Sequence, residues 1–349
     1  MVVCDRPAKE ALNRAEKSGV NQACCRIGQP QAMLLAVPDF TEKAMHKLIR
    51  HSLCAAAGAA AVDACAAPVD AVVTKPMDLQ DYLALKGPAP DKRIMYGTSP
   101  SQFVELFKPA GPGPHPVVVL IHGGCWTVQF GGIEQMRNMA GALTRQGIAV
   151  WNVEYRRYDE EGGGYPGMYQ DVATAVDLLK HEAKSSALDL SRIVAVGHSA
   201  GGHLAQWAIS RHKLPEWSPA WAPQPLKINT VISLGGLADL RNEATLIRRT
   251  CDRETAQIAG LPSASRPDVF ADTSPAEILP TGVHTILIHG EYDDISPTVT
   301  GENYARRAKA AGDSAEVLVL PGGSHYDEVS ADSKAWRIVN AQIRKALGL

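Results

Sequence analysis

The sequence predicts an α/β fold in which a mostly parallel central sheet is covered by helices on both faces. Short apolar runs rich in β-branched residues, such as 116–121, are typical of strands buried on both faces. They alternate along the chain with segments whose apolar residues recur at helical spacing, as in 169–183. This alternation favours right-handed β-α-β crossovers, which make neighbouring strands parallel.

The predicted elements begin at residue 93. Two short strands flank a Ser-Pro turn, and six more strands follow with helices between them. The strands are expected at 93–96, 103–107, 116–121, 148–153, 193–196, 231–234, 285–288 and 317–320, and the helices at 133–145, 169–183, 202–210, 301–311 and 333–347. Residues 238–281 show no clear period and are expected to form a small cap inserted between two strands.

The composition is that of an ordinary globular protein. Of the 349 residues, 45% are hydrophobic and 21% are charged, which excludes the disordered and fibrous classes. The 35 basic and 37 acidic residues leave a net charge of −2, so nothing indicates a nucleic-acid or anionic-membrane partner. No apolar run reaches the length of about 18 residues that a membrane span needs. We expect a small-molecule partner, and the sequence leaves the oligomeric state open.

The first 71 residues differ in kind from the rest. From Met45, a basic stretch leads into the small apolar run 53–62 and then into further small residues, which is the anatomy of a secretory signal. We therefore expect translation to start at Met45, a signal peptide over 45–71, and an unassigned, untranslated segment over 1–44. An Ala-rich helix packed on the domain is the alternative. This part of the chain holds five of the seven cysteines, Cys4, Cys24, Cys25, Cys54 and Cys65.

The rest of the chain is expected to be an arm and one domain. Residues 72–91 contain three prolines and are expected to form a linker or extended arm before an α/β domain over 92–349. The signal peptide predicts export, to the periplasm or the medium, whereas a chain without it would be cytoplasmic. In an exported mature chain, Cys125 and Cys251 would be the only two thiols and could pair.

A G-x-S-x-G motif, Gly197–Gly201, lies between the strand predicted at 193–196 and a helix. In this context the motif is typical of a nucleophile turn, whose tight bend raises the serine hydroxyl above the sheet. Side chains at the two flanking glycines would collide with neighbouring elements. Ser199 is therefore the candidate nucleophile. The sequence contains no phosphate-loop or dinucleotide fingerprint and no cluster with metal-ligand spacing, so we expect no cofactor and no metal.

The segment His122–Trp126 directly follows the buried strand at 116–121. Its two glycines let backbone N–H groups approach a ligand oxygen closely. We expect the N–H of Ala200, together with that of Gly124 or Cys125, to form an oxyanion hole. The adjacent side chains of Trp126 and His198 are expected to contact the substrate, whereas His122 is expected to brace the loop.

A serine nucleophile needs a base and an acid, which follow such a turn in the order acid, then histidine. Of the histidines after Ser199, His325 lies in a Gly-rich loop just past the last predicted strand, at the edge where ligands bind. His325 is therefore the candidate base. The acid should follow the strand at 285–288, where Glu291, Asp293 and Asp294 are available. Asp293 has the better register, and Asp294 is its main alternative.

Residues 93–349 resemble an α/β-hydrolase. The two motifs His122-Gly-Gly-Cys-Trp126 and Gly197-His-Ser-Ala-Gly-Gly-His203 are similar to those of the kynurenine-formamidase-like and hormone-sensitive-lipase-like esterases. The resemblance implies Ser199 as nucleophile, Asp293 as acid and His325 as base. The lipase-like branch usually has a third glycine where Cys125 stands, so the Cys-Trp ending is more similar to the formamidase branch.

The expected function is that of a serine hydrolase that cleaves carboxylic esters of small or medium acyl groups through an acyl-enzyme. An aryl-formamide hydrolase is the nearest alternative. A non-catalytic binding protein on this fold is the alternative from another class, and it would be expected to lack one member of the catalytic set. The sequence contains all three members, Ser199, Asp293 and His325.

Overall fold

An eight-stranded sheet runs through residues 75–349, the part of the chain that the computed structural model describes. Its strands are β1 (Lys92–Met95), β2 (Phe103–Phe107), β3 (His115–Ile121), β4 (Ala149–Val153), β5 (Leu188–His198), β6 (Thr230–Leu234), β7 (His284–Gly290) and β8 (Ala315–Leu320). Their spatial order is β1-β2-β4-β3-β5-β6-β7-β8. The β1–β2 and β2–β4 pairs are antiparallel, and the other five pairs are parallel. This sheet confirms the predicted fold class.

Eight helices surround the sheet in the same part of the chain: α1 (Leu79–Leu83), α2 (Ile133–Thr144), α3 (Gly164–Ser185), α4 (Ala200–Ser210), α5 (Ala244–Cys251), α6 (Thr255–Ala259), α7 (Thr298–Ala310) and α8 (Trp336–Ala346). The five predicted helices are all present. The sequence did not predict α1, α5 and α6, which have five, eight and five residues. Helices α5 and α6 lie in the segment that was expected to form a cap.

The core consists of two apolar layers, one on each face of the sheet. Along β3, Val117, Val119 and Ile121 face the layer that holds α3 and α4, whereas Val118 and Leu120 face the layer that holds α2 and α8. All five side chains are completely buried. Because both faces of β3 are covered, apolar residues do not alternate with polar ones along this strand. Each such side chain contributes about 1.5–3 kcal/mol by burial. This packing fixes the strand ends from which the functional loops leave.

Residues 75–91 lie against the domain. Tyr82 of α1 is only 2% exposed and packs into the same layer as α2 and α8. The arm therefore belongs to the folded body and does not act as a free linker. The predicted segments 1–44 and 45–71, and the first three residues of the predicted arm, lie outside the described residues. Within 75–349, no helix has the length and apolar character needed to cross a membrane.

The segment between β6 and β7 contains a buried acid. Glu243 is 8% exposed, and its Oε2 accepts a hydrogen bond from the Asp239 N–H at 3.1 Å. Burial, assisted by the charge of Asp239, raises the pKa of Glu243 to about 8. The side chain is therefore neutral in the folded protein at pH 7, whereas in the unfolded chain it ionises at about pH 4.3.

Replacing Glu243 with glutamine should flatten the pH dependence of stability. A raised pKa in the fold stabilises the protein below the unfolded pKa, and this contribution is lost as pH rises through about 8. Between pH 5 and pH 7, the wild-type free energy of unfolding should therefore fall by about 2 kcal/mol more than that of Glu243→Gln. Urea unfolding measures both values, with the exposed Glu302→Gln as control. If the free energy of unfolding changed with pH equally in wild type and Glu243→Gln, the conclusion that Glu243 is neutral in the folded protein would be contradicted.

Candidate active site

Ser199 occupies a tight turn between β5 and α4. Its φ is 54°, a left-handed conformation that non-glycine residues rarely adopt. A Cβ on Gly197 would lie 2.1 Å from the Gly201 carbonyl oxygen, and a Cβ on Gly201 would lie 2.2 Å from that of Ile121. Glycine is therefore required on both sides. The Ser199 N–H donates to the Leu234 carbonyl at 2.8 Å, which ties the turn to the end of β6.

The loop after β3 approaches this turn closely. A Cβ on Gly123 would lie 2.9 Å from the Cβ of Ser199, so only glycine permits the approach. Gly124, Cys125 and Trp126 follow with positive φ values of 104°, 50° and 56°. No acceptor within residues 75–349 bonds the N–H groups of Gly124 and Cys125. Two unpaired backbone donors thus lie beside Ser199, as an oxyanion hole requires.

A buried cluster of charged and aromatic side chains supports this loop. The Nε2 of His122 and Oε1 of Glu154 are 2.8 Å apart, and Arg157 contacts the same carboxylate. The ring of Tyr155 stacks on that of His122 at 4.4 Å, and its hydroxyl donates to the His122 carbonyl. Burial raises the pKa of Glu154, but His122 and Arg157 outweigh it and hold the pKa below its usual value. His122 therefore braces the loop.

A disulfide also fixes the loop after β3. Cys125 is bonded to Cys251, the last residue of α5, with their Cα atoms 5.4 Å apart. The bond joins the candidate oxyanion loop to the segment between β6 and β7, across 126 residues of sequence. The two cysteines that the sequence marks as a possible pair are thus joined in the structure.

His325 and Asp293 meet at the ends of the last two strands. The Nδ1 of His325 lies 2.8 Å from Oδ2 of Asp293. The other carboxylate oxygen of Asp293 accepts from the N–H groups of Ile295 and Ser296 at 2.9 and 2.7 Å. Burial raises the pKa of Asp293, but the interaction with His325 outweighs it, so the pKa is lowered and the carboxylate is ionised. The rival Asp294 is exposed.

A cavity at Ser199 and a separate groove both have His325 in their lining. A cavity of about 160 Å³ is lined by Ser199, Gly124 and Cys125, and by Tyr82, Phe130 and Ile295. A wider groove of about 660 Å³ is lined by His325, Ser324 and Tyr292, and by Asp78, Arg249 and Asp294. His325 also lines the cavity. The candidate base therefore faces both the cavity and the groove.

A protein-family model described as BD-FAE matches residues 104–307, which is more than half of the chain. The chain belongs to the BD-FAE family. BD-FAE is an α/β-hydrolase family, so the family resemblance predicted from the sequence is confirmed at this level. The comparisons do not assign the chain to the formamidase-like or the lipase-like branch.

The chain also resembles individual curated proteins, at about 25% identity. The chain is 25% identical over 244 residues to a probable isoprenylcysteine α-carbonyl methylesterase of Oryza sativa, with 68% of this chain and 58% of the relative covered. It is 25% identical over 281 residues to Esterase LipC of Mycobacterium tuberculosis, with 70% of this chain and 66% of the relative covered. The chain thus spans about 58–66% of the length of these relatives.

Solved structures support the same fold for this BD-FAE chain. A truncated carbohydrate esterase from gut microbiota superimposes with a TM-score of 0.62 and 20% identity, covering 76% of this chain and all of the other. Esterase B of Lactobacillus rhamnosis gives a TM-score of 0.64 and 18% identity, covering 77% and 89% of the two chains.

One buried acid of this BD-FAE chain was not predicted from the sequence. Glu328 is completely buried, and its Oε1 accepts from the Gly290 N–H at 2.8 Å. Burial and the neighbouring Asp293 carboxylate raise the pKa of Glu328 well above its usual range, which favours its neutral form beside the ionised Asp293. Glu328 follows His325 by three residues, and this spacing does not indicate that its side chain turns back toward the loop that carries Asp293.

His198, which the sequence predicts to contact substrate, lines the cavity and also contacts His325. Burial and the neighbouring His325 lower the pKa of His198 to about 3, so the ring is neutral. Its Nε2–H donates to the His325 carbonyl at 2.9 Å, and the two ring centroids are 4.6 Å apart. Nitrogen and oxygen atoms of His198, His325 and Glu328 lie within 4.8 Å of one another. Because backbone groups already bond His198 and Glu328, we assign the cluster to positioning His325 and not to a metal.

The prediction for Trp126 is wrong. Trp126 is completely buried and does not line the cavity at Ser199. Its Nε1–H donates to Nδ1 of His203 at 3.2 Å. The left-handed backbone at Cys125 and Trp126 turns this side chain into the core behind the loop. Trp126 therefore supports the loop from inside, and a residue that the sequence did not select, Tyr82, lines the cavity.

Proposed function

We propose that this protein is a serine esterase that cleaves carboxylic esters through an acyl-enzyme. One observation carries the proposal: His325, bonded to the ionised Asp293 at 2.8 Å, lines the same cavity as Ser199 and the N–H groups of Gly124 and Cys125. A nucleophile, an oriented base and unpaired donors in one cavity are the parts that acyl transfer needs.

In the first step, Oγ of Ser199 attacks the ester carbonyl carbon while Nε2 of His325 takes the hydroxyl proton. The carbonyl oxygen becomes an oxyanion, which accepts hydrogen bonds from the N–H of Ala200 and from that of Gly124 or Cys125. Each such donor is typically worth about 3–4 kcal/mol of barrier. The ionised Asp293 stabilises the imidazolium and holds Nδ1–H in place.

In the second half, the tetrahedral intermediate collapses and the C–O bond breaks. His325 returns its proton to the leaving alkoxide, and an alcohol departs. A water molecule then attacks the acyl-enzyme, again with His325 as base, and releases the carboxylic acid. The names of the relatives, which are esterases and methylesterases, favour this reaction over binding without catalysis.

Labelling with a fluorophosphonate tests the proposal. Wild type should gain one phosphonyl adduct, located on Ser199 by peptide mass spectrometry, and Ser199→Ala should gain none. Hydrolysis of p-nitrophenyl acetate and of N-formylkynurenine should then be compared as kcat/KM, since the His122–Trp126 segment also resembles that of aryl-formamide hydrolases. Labelling that is independent of Ser199 would end the serine-esterase proposal. A higher kcat/KM on the formamide would replace the ester with the amide as substrate.

A further inference from the structure

The arm before the first strand supplies a wall of the cavity at Ser199. Leu79 and Tyr82, both from α1, line this cavity together with Ser199. They precede residue 104, where the match to the BD-FAE model begins. The size of the cavity is therefore set in part by a segment outside the matched region.

The cavity at Ser199 and the groove at His325 suit different halves of an ester. Gly124 and Cys125 line the cavity and do not line the groove. The carbonyl oxygen must point at their N–H groups, so the carbonyl carbon and its acyl substituent lie in the cavity. His325 lines both spaces and must reach the leaving-group oxygen, so the alcohol extends into the groove. The acyl group is therefore the half that meets the arm.

The arm is fastened to the loop that carries His325. The Met77 N–H donates to Oδ2 of Asp327 at 3.0 Å, and the Ser324 hydroxyl donates to the Met77 carbonyl at 2.6 Å. The ring of Tyr82 packs against those of His198 and Tyr326, at centroid distances of 5.8 and 5.5 Å. Because Tyr82 is buried and the arm is held by these contacts, a longer acyl group could displace Tyr82 only by also moving the loop that carries His325.

We propose that Tyr82 is a specificity-determining residue that limits the acyl group to about six non-hydrogen atoms, an inference that rests on the proposed esterase function. A cavity of about 150 Å³ holds a molecule of the size of benzene, and the cavity here measures about 160 Å³. The substrate class is thus a short-chain acyl ester. The wider groove places no such limit on the alcohol.

The acyl-length profile of p-nitrophenyl esters from acetate to decanoate tests this limit. One methylene in a hydrophobic pocket changes kcat/KM by about 10–200-fold, so wild-type kcat/KM should fall at least 100-fold between butanoate and octanoate. In Tyr82→Ala, the ratio of kcat/KM on octanoate to that on acetate should rise at least 10-fold. Leu79→Ala, at a half-buried position of the same wall, should shift the ratio in the same direction and serves if Tyr82→Ala does not fold.

Two control variants separate the wall from other causes. Tyr82→Phe keeps the ring and removes a hydroxyl that has no hydrogen-bond partner within 75–349, so its ratio should equal that of wild type. Tyr292→Ala removes a tyrosine from the groove only, and its ratio should also be unchanged. Because each ratio is measured within one enzyme, a lower active fraction does not affect it.

Each outcome supports or overturns the inference. Fluorophosphonate titration of active sites comes first: absence of Ser199-dependent labelling would mean that the esterase proposal itself fails. With normal labelling, an unchanged ratio in both Tyr82→Ala and Leu79→Ala would overturn the role of the arm. A ratio that rises in Tyr292→Ala instead would place the acyl group in the groove and would also overturn it.

Discussion

Replacing Ser199 with alanine is expected to lower kcat for p-nitrophenyl acetate by about 10⁶-fold, the loss typical of a serine hydrolase without its nucleophile. His325→Ala should cause a loss of the same order, because the serine hydroxyl is a weak nucleophile without a base. The double variant should be no slower than either single variant. The nucleophile and the base act as one unit. Once one of them is absent, the other no longer contributes to kcat, so its replacement has no further effect.

The experiment needs a control variant at another buried serine and a titration of active sites. Ser233 is completely buried at β6 and lies outside the proposed machinery, so Ser233→Ala should retain wild-type kcat. KM should change little in the single variants, since the apolar lining formed by Tyr82, Phe130 and Ile295 is unchanged. A loss of only ten-fold in Ser199→Ala, or losses that add in the double variant, would contradict the joint role of Ser199 and His325.

Much of this site was accessible from the sequence, because the chemistry lies at strand ends. The strand at 193–196 and the Gly-x-Ser-x-Gly motif were enough to place Ser199 at a turn, and the structure adds the collisions that exclude side chains at Gly197 and Gly201. For the acid, the sequence favoured Asp293 and kept Asp294 as its main alternative. The structure distinguishes them, since Asp293 is buried against His325 and Asp294 is exposed.

The parts that the sequence did not predict are those that depend on packing across the chain. Helix α1 has only five residues, too few to show a helical period, so Tyr82 could not be assigned to the cavity. The raised pKa of Glu328 comes from burial beside Asp293, which no local sequence pattern encodes. Trp126 was misplaced because its direction depends on two consecutive left-handed residues that the motif does not reveal.

Removing the disulfide is expected to affect stability and catalysis together. The bond closes a loop of 126 residues, and a loop of this length should contribute about 5 kcal/mol to the free energy of unfolding. Cys251→Ala should lose this amount, measured by urea unfolding without reductant. Under dithiothreitol, the variant should lose nothing further, whereas wild type should fall to the level of the variant. A stability that does not respond to reductant in wild type would contradict the contribution of the bond.

The effect on catalysis follows from the backbone at Cys125. Left-handed conformations at Cys125 and Trp126 each cost about 1–2 kcal/mol, and the bond to Cys251 at the end of α5 is one of the contacts that hold them. Without it, the N–H of Cys125 should leave the position that faces the oxyanion, and kcat should fall by up to about 10²–10³-fold, the value of one donor. KM should change less, because ground-state binding in the cavity does not depend on that N–H. If KM of Cys251→Ala rose by the same factor while kcat stayed unchanged, the disulfide would act on the shape of the cavity instead. It would do so through Thr250, which precedes Cys251 and lines the cavity.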